Sequence, residues 1–194
     1  FSVFQLLGIA HLQRGAESRG DFSKAVEYFE KIREFLKTDA WPQEQRRQMA
    51  AEMYGMYACA LAYKSLLEER DAQKAVSILR EGLENRPDDI QLLFLLTKAL
   101  KEAKKHDEAQ EVLQQIIESK DVEMQASLMA LNSLAEIRIK QKDFIQARDL
   151  LARANGLKAD HIPTLLNFMY GDLEEGKYRG EQVLFRKAVE RGQE

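Results

Sequence analysis

Residues 75–121 read AVSILREGLENRPDDIQLLFLLTKALKEAKKHDEAQEVLQQIIESKD, and this stretch writes one helix pattern twice. Ala75, Leu79 and Gly82 lie four and three residues apart, with Pro87 five further on. The same spacing returns at Ala109, Leu113 and Ile116, thirty-four positions along, and Asp121 stands in the proline's place. A 34-residue period of small and large residues along a helix marks a helix-turn-helix repeat, whose helix pairs bury their apolar faces only by stacking. Ala147, Leu151 and Ala154 carry the pattern thirty-eight positions beyond Ala109, and Glu181, Phe185 and Ala188 carry it thirty-four further, with Glu181 in an alanine slot. Ala25, Phe29 and Ile32 supply an earlier copy, fifty positions before Ala75. The chain thus reads as five copies, approximately 1–40, 41–87, 88–121, 122–160 and 161–194, in one domain.

The 194 residues are 45% hydrophobic and 31% charged, with ten glycines and three prolines, a composition that predicts a soluble helical protein. Lysine and arginine number 29 against 32 acids, a net charge of −3 that lacks the basic excess of a nucleic-acid reader. A single cysteine, Cys59, excludes an intramolecular disulfide framework and suits a reducing, cytoplasmic compartment. The apolar run Leu92–Leu96 is cut by Thr97 and Lys98, far short of the ~18 residues that predict a membrane span. With Phe1 at its start and no signal-peptide pattern, the chain reads as a piece of a longer protein.

In order, the periodicity predicts helices over 2–14, from Phe22 to about residue 37, 43–68, 75–83, 90–103, from His106 or Asp107 up to a connection at Ser119–Val122, 123–140, 144–154, from His161-Ile162-Pro163 to Glu175, and 178–191. Gly15–Phe22 reads as a long turn, Asn155-Gly156 as a left-handed helix stop, and Glu175-Gly176-Lys177 as the last turn. Pro42 suits a first helical turn, while Pro87 keeps the residue before it out of helix. The first helix is apolar on several faces, which predicts self-association or an upstream repeat covering residues 1–12.

The pattern resembles the tetratricopeptide repeat family, whose first helix carries an apolar residue, Leu-Gly and Tyr ahead of the Ala, Phe, Ala and Pro of the second. Phe4, Leu7, Gly8 and His11 fill the first-helix slots of copy one; Met56, Cys59, Ala60 and Tyr63 those of copy two. Leu93, Leu96, Thr97 and Leu100 follow in copy three, and Leu131, Leu134, Ala135 and Arg138 in copy four. The turn signature appears as Gly20-Asp21-Phe22, Gly176-Lys177-Tyr178 and the variant Lys142-Asp143-Phe144. The resemblance implies an all-α α-solenoid of about five stacked antiparallel helix pairs in a right-handed superhelix. Its concave groove would bind a peptide or helix of another protein.

Carrying the groove slots over places Tyr54, Tyr57 and Leu61 there from copy two, and Phe94, Lys98 and Lys101 from copy three. Copy four adds Asn132, Glu136 and Ile139; copy five adds Leu166, Tyr170 and Leu173. A subtype that grips a chaperone's terminal carboxylate needs cations and an asparagine where this chain has Gln5, Ile9, Phe94 and Lys98, which disfavours that reading. RNA binding, as in the related 35-residue helical repeats, is the alternative, and the 34-residue interval and acidic balance argue against it. A further alternative is the non-catalytic domain of a larger enzyme.

Chemistry has little foothold. His11, His106 and His161 fall in three different repeats, His11 in a packing slot and the others as turn residues. Without HExxH, CxxC or a glycine-rich phosphate loop, neither a metal nor a cofactor is expected. Cys59 reads as a buried small hydrophobe, and the Lys98, Lys101, Lys104, Lys105 cluster, interrupted by Glu102, as a solvated face. The sequence therefore predicts no catalytic residues.

Overall fold

A computed structural model describes residues 2–18, 22–36, 42–119, 122–180 and 190. Among these residues it holds nine α-helices and no strand: α1 (Ser2–Ser18), α2 (Phe22–Leu36), α3 (Gln43–Tyr63), α4 (Ala72–Asn85), α5 (Ile90–Glu102), α6 (His106–Glu118), α7 (Met124–Lys140), α8 (Phe144–Leu157) and α9 (Ile162–Arg179). This is the all-α helical repeat fold that the periodic spacing predicts. The chain divides into two compact units, residues 1–109 and 110–194.

In the first unit each helix packs on the next, from α1 through α5. α2 shows why: Phe22, Ala25, Val26, Phe29 and Ile32 recur three or four residues apart, so one stripe of the helix is apolar and buried. Phe29 and Ile32 join Met53 and Ala60 of α3 in one cluster, flanked by Ile9 and Leu12 of α1. Gly8 makes this possible, since a Cβ there would lie 2.8 Å from the Phe29 ring. In the second unit α7, α8 and α9 pack mutually around Leu128, Leu131, Ala135, Ile139, Phe144, Ala147 and Leu151.

The turns inside the repeats obey the same period as the helices. Arg70, Lys104 and Lys142 have φ of 56°, 60° and 66°, and each stands five residues before Ala75, Ala109 or Ala147. A left-handed residue lets the chain end one helix and start the next at once, and the two later turns close with the N–H-to-carbonyl bonds of a Schellman stop. These run from Lys105 to Leu100 and from Asp143 to Arg138, both 2.9 Å. In copy two the matching bond runs from Asp71 to Ser65, 2.8 Å, one residue further along. The extra residue is absorbed as a π-helical turn, Lys64–Glu68, at the end of α3. Asp71 and Asp143 then cap α4 and α8 by accepting from the Lys74 and Gln146 amides.

Several local expectations are corrected. α1 continues to Ser18, so helix replaces the first part of the turn expected at Gly15–Phe22. α8 runs through Asn155-Gly156 to Leu157, and Gly156 keeps a negative φ because the helix needs no stop there. α9 runs straight through Glu175-Gly176-Lys177 and ends at Gly180, which takes the left-handed conformation at φ 68°. Buried Glu175 explains the continuation, because its ion pairs with Arg148 of α8 and with Arg179 four residues on require the helical register. The slots expected at Glu181, Phe185 and Ala188 lie outside the described residues, as does the Gly20-Asp21 turn.

Copy two is also in a different register from the expected one. α3 and its π-helical end bury Ala58, Cys59, Ala62, Ser65 and Leu66, which stand one repeat period ahead of buried Leu92, Leu93, Leu96, Ala99 and Leu100 of α5. The packing slots are therefore Cys59, Ala62, Tyr63 and Leu66 rather than Met56, Cys59, Ala60 and Tyr63.

Candidate partner-binding surface

Tyr54 and Tyr57 of α3 stand one turn apart and lean toward different neighbours. The Tyr54 hydroxyl donates to Glu81 of α4 at 2.7 Å, and that of Tyr57 to Glu30 of α2 at 3.4 Å. Burial, and after it the Glu81 hydrogen bond, pushes the Tyr54 phenol up to about 12. Burial raises that of Tyr57 as well. The Arg33 guanidinium lies 5.3 Å from the centre of the Tyr57 ring, a cation held over a π face.

These side chains rim a cleft between α2 and α3 with a volume of about 220 Å³. Its floor is Phe29, Ile32, Leu36 and Met53, and its rim Arg33, Tyr54 and Tyr57. It falls below the ~300–1,000 Å³ of a typical small-molecule site, but it suits one or two large apolar side chains of a partner. Tyrosine rings on such a rim offer contact area at small entropic cost.

The other expected groove residues divide by exposure. Leu61 is half-buried against the α2–α3 core, and Phe94 and Lys101 are half-buried on α5. Lys98 is exposed, its ammonium 5.6 Å from the Tyr63 ring centre. In the second unit Leu166 is 56% and Tyr170 36% exposed, Leu173 is half-buried, and Glu136 pairs with Lys140 at 2.7 Å. Met129 of α7, 47% exposed, adds to the open apolar surface of this unit.

Asn132 and Ile139 do not belong to an open surface. Ile139 is fully buried with Phe144 and Ala147, because the end of α7 is covered by α8 and α9. Asn132 is buried in a polar clasp between α7 and α9: its amide donates to the Leu128 carbonyl at 2.8 Å and to Thr164 Oγ1 at 2.9 Å, while its Oδ1 accepts from Asn167 at 2.9 Å. Thr164 in turn meets His161 Nδ1 at 2.9 Å, so this histidine is a positioned helix-start residue and not merely a solvated turn. His11, half-buried as expected, stacks on Tyr28 with centroids 5.5 Å apart and accepts from Arg14 at 3.0 Å.

Sequence reasoning missed Arg33 and Leu36, which follow Phe29 by one and two helical turns on α2; that periodicity was the available signal. Cys59 is buried, and desolvation raises its thiol to about 12, which leaves almost no thiolate near neutrality. Among the described residues no cluster of three histidine, cysteine or acidic side chains could hold a metal ion, and no helix is long and apolar enough to cross a membrane.

A helical array whose turns and packing slots recur in step, at intervals of 34 and 38 residues, defines an α-helical repeat protein. Residues 66–131, about a third of the chain, match the family model described as Tetratricopeptide repeat. The fold extends well beyond that stretch. The solved structure named "MamA RS-1 ArsTM double mutant" is 16% identical, covers 99% of this chain and 94% of its own, and superposes with a TM-score of 0.65. "MamA 41-end from Desulfovibrio magneticus RS-1" is 16% identical over 98% of this chain and 96% of that one, TM-score 0.62. "MamA MSR-1 C2" is 19% identical over 98% and 95%, TM-score 0.60. No curated protein sequence matches the chain significantly.

Proposed function

We propose that the chain is a non-catalytic protein-interaction scaffold that receives an apolar peptide or helix segment of a partner within a multiprotein complex. The observation that carries this reading is the open apolar cleft between α2 and α3, rimmed by Arg33, Tyr54 and Tyr57. A partner side chain entering it would bury the Tyr57 ring and the Leu36 side chain, and Arg33 would close over the contact. Interface energy concentrates in such aromatic and arginine anchors. Phe94 on α5 and Leu166 and Tyr170 on α9 would extend contact within their own units. Five repeat copies, a cytoplasmic location and the absence of a resident cofactor belong to the same reading, which the regular turns and the buried, free Cys59 support.

The test compares proteins retained by the immobilised chain with those retained by the double variant Tyr57→Ala with Phe94→Ala, helical content being followed by circular dichroism. An anchor is worth about 1–3 kcal/mol, so a folded double variant should bind at least about tenfold more weakly. Full retention by the folded variant refutes the cleft as the partner site.

A further inference from the structure

A second cleft, of about 410 Å³, opens where the π-helical end of α3, the turn into α4 and the exposed Lys98 and Glu102 of α5 meet. Leu66, Leu67, Arg70, Ala72, Lys98 and Glu102 line it. The charges around it are not matched to one another. Glu68 accepts from the Ser23 amide and hydroxyl, Glu69 pairs with Lys74 and Lys64, and Asp71 caps α4. The acids of the turn are thus engaged elsewhere. Among the described residues Arg70 makes no ion pair, and the contact of Lys98 is with the face of Tyr63. With Glu102 as the single lining acid, the cleft carries two cations against one carboxylate and so a net charge of +1.

We propose that this cleft is a binding site for a single carboxylate next to an apolar side chain: an aspartate or glutamate of a partner peptide flanked by a leucine-like residue. Arg70 offers a planar fork that matches a carboxylate in bidentate fashion, and Lys98 supplies a second, point-like cation. Leu67, 42% exposed, and Leu66 beside it give the flanking residue an apolar seat. Glu102 limits the excess charge to one, which favours a monoanion over a phosphate dianion. The volume lies in the ~300–1,000 Å³ range of small-ligand sites, room for a side chain with its neighbour. This site goes beyond the apolar cleft at Tyr57, shares no lining residue with it, and adds a preference for acidic sequence.

The test is an amide chemical-shift titration of the whole chain with acetyl-Leu-Glu-amide. Acetyl-Leu-Gln-amide and inorganic phosphate, at matched ionic strength, serve as comparisons. Saturable shifts centred on Leu67, Arg70, Ala72 and Lys98 are expected with the glutamate peptide. The glutamine peptide should bind at least about fivefold more weakly, and raising salt from about 0.05 to 0.5 M should weaken the interaction by screening. Arg70→Gln and Lys98→Gln alter exposed side chains, and each should reduce affinity about threefold or more while leaving the remaining amide spectrum in place. Equal binding of the two peptides, equal shifts from phosphate alone, or undiminished affinity in both variants would overturn the proposal. The titration does not involve Tyr57 or Phe94, so its failure leaves the apolar-cleft reading standing, and the reverse also holds.

Discussion

Gly82→Ala and Gly156→Ala make the same chemical change in two helices and should move stability in opposite directions. A Cβ at position 82 would sit 3.1 Å from the Ala58 Cβ and 3.3 Å from Leu92 Cδ1, both closer than the 3.4–4 Å of ordinary contact. The Ala58 methyl is fixed to its backbone, and Leu92 is fully buried, so relief requires α3 and α4 to separate by a few tenths of an ångström. Overpacking of this kind costs about 1–3 kcal/mol, while replacing glycine by alanine inside a helix returns about 1 kcal/mol. The net is a loss of about 1 kcal/mol, or a melting temperature roughly 2–4 °C lower. At position 156 an added Cβ has nothing within 4 Å, and the backbone is helical. Only the propensity gain remains, up to about 1 kcal/mol, so the melting temperature should rise by about 1–4 °C. Thermal melts followed by far-ultraviolet circular dichroism read both. If Gly82→Ala stabilises as much as Gly156→Ala does, close helix approach at Gly82 is not what selects glycine there.

Arg148 lies 3.0 Å from Asp172 and 2.5 Å from Glu175, whose side chains are only 2% and 3% exposed. Arg148→Met should lower stability on the order of 2 kcal/mol, less than the ~3–5 kcal/mol of a fully buried pair because the arginine is 45% exposed; an unchanged urea midpoint would count against this pairing. Alkaline titration offers another check. The Cys59 thiol and Tyr54 phenol are raised from 9.0 and 10.0 to about 12 by burial, with the Glu81 hydrogen bond adding at Tyr54. Below about pH 8 both groups are neutral in the folded and unfolded chain; above it the unfolded chain releases protons that the folded one retains, so stability should fall progressively toward about pH 12. Tyrosinate absorbance should show late-ionising tyrosines, the latest of them lost from the titration in Tyr54→Phe; a uniform titration near pH 10 would refute the buried hydroxyl.

The helical repeat was legible because its cause is local and periodic. Ala75, Ala109 and Ala147 recur because a small residue is needed wherever two helices approach, and the residue type alone carries that requirement. The cleft between α2 and α3 was legible only in part. Tyr54 and Tyr57 line a cleft, but Arg33 and Leu36 entered it from the preceding helix, which slot-by-slot transfer along first helices does not reach. Ile139 and Asn132 have the spacing of surface residues, yet α8 and α9 cover them.

What the sequence determined by itself is the all-α fold, the positions of most helices and the identity of the core stripe, since each follows from apolar spacing within a single helix. Tertiary structure decided what depends on a partner distant in sequence. A π-helical turn at Lys64–Glu68 absorbs one residue so that copy two keeps the register of copy three, a choice made by packing against neighbours and invisible in local propensity. Glu175 and Gly176 stay helical because Arg148, on the preceding helix, engages the acid. Asn155-Gly156 has the letters of a helix stop, yet α8 runs through it to Leu157, whereas α9 ends at Gly180 with φ 68°.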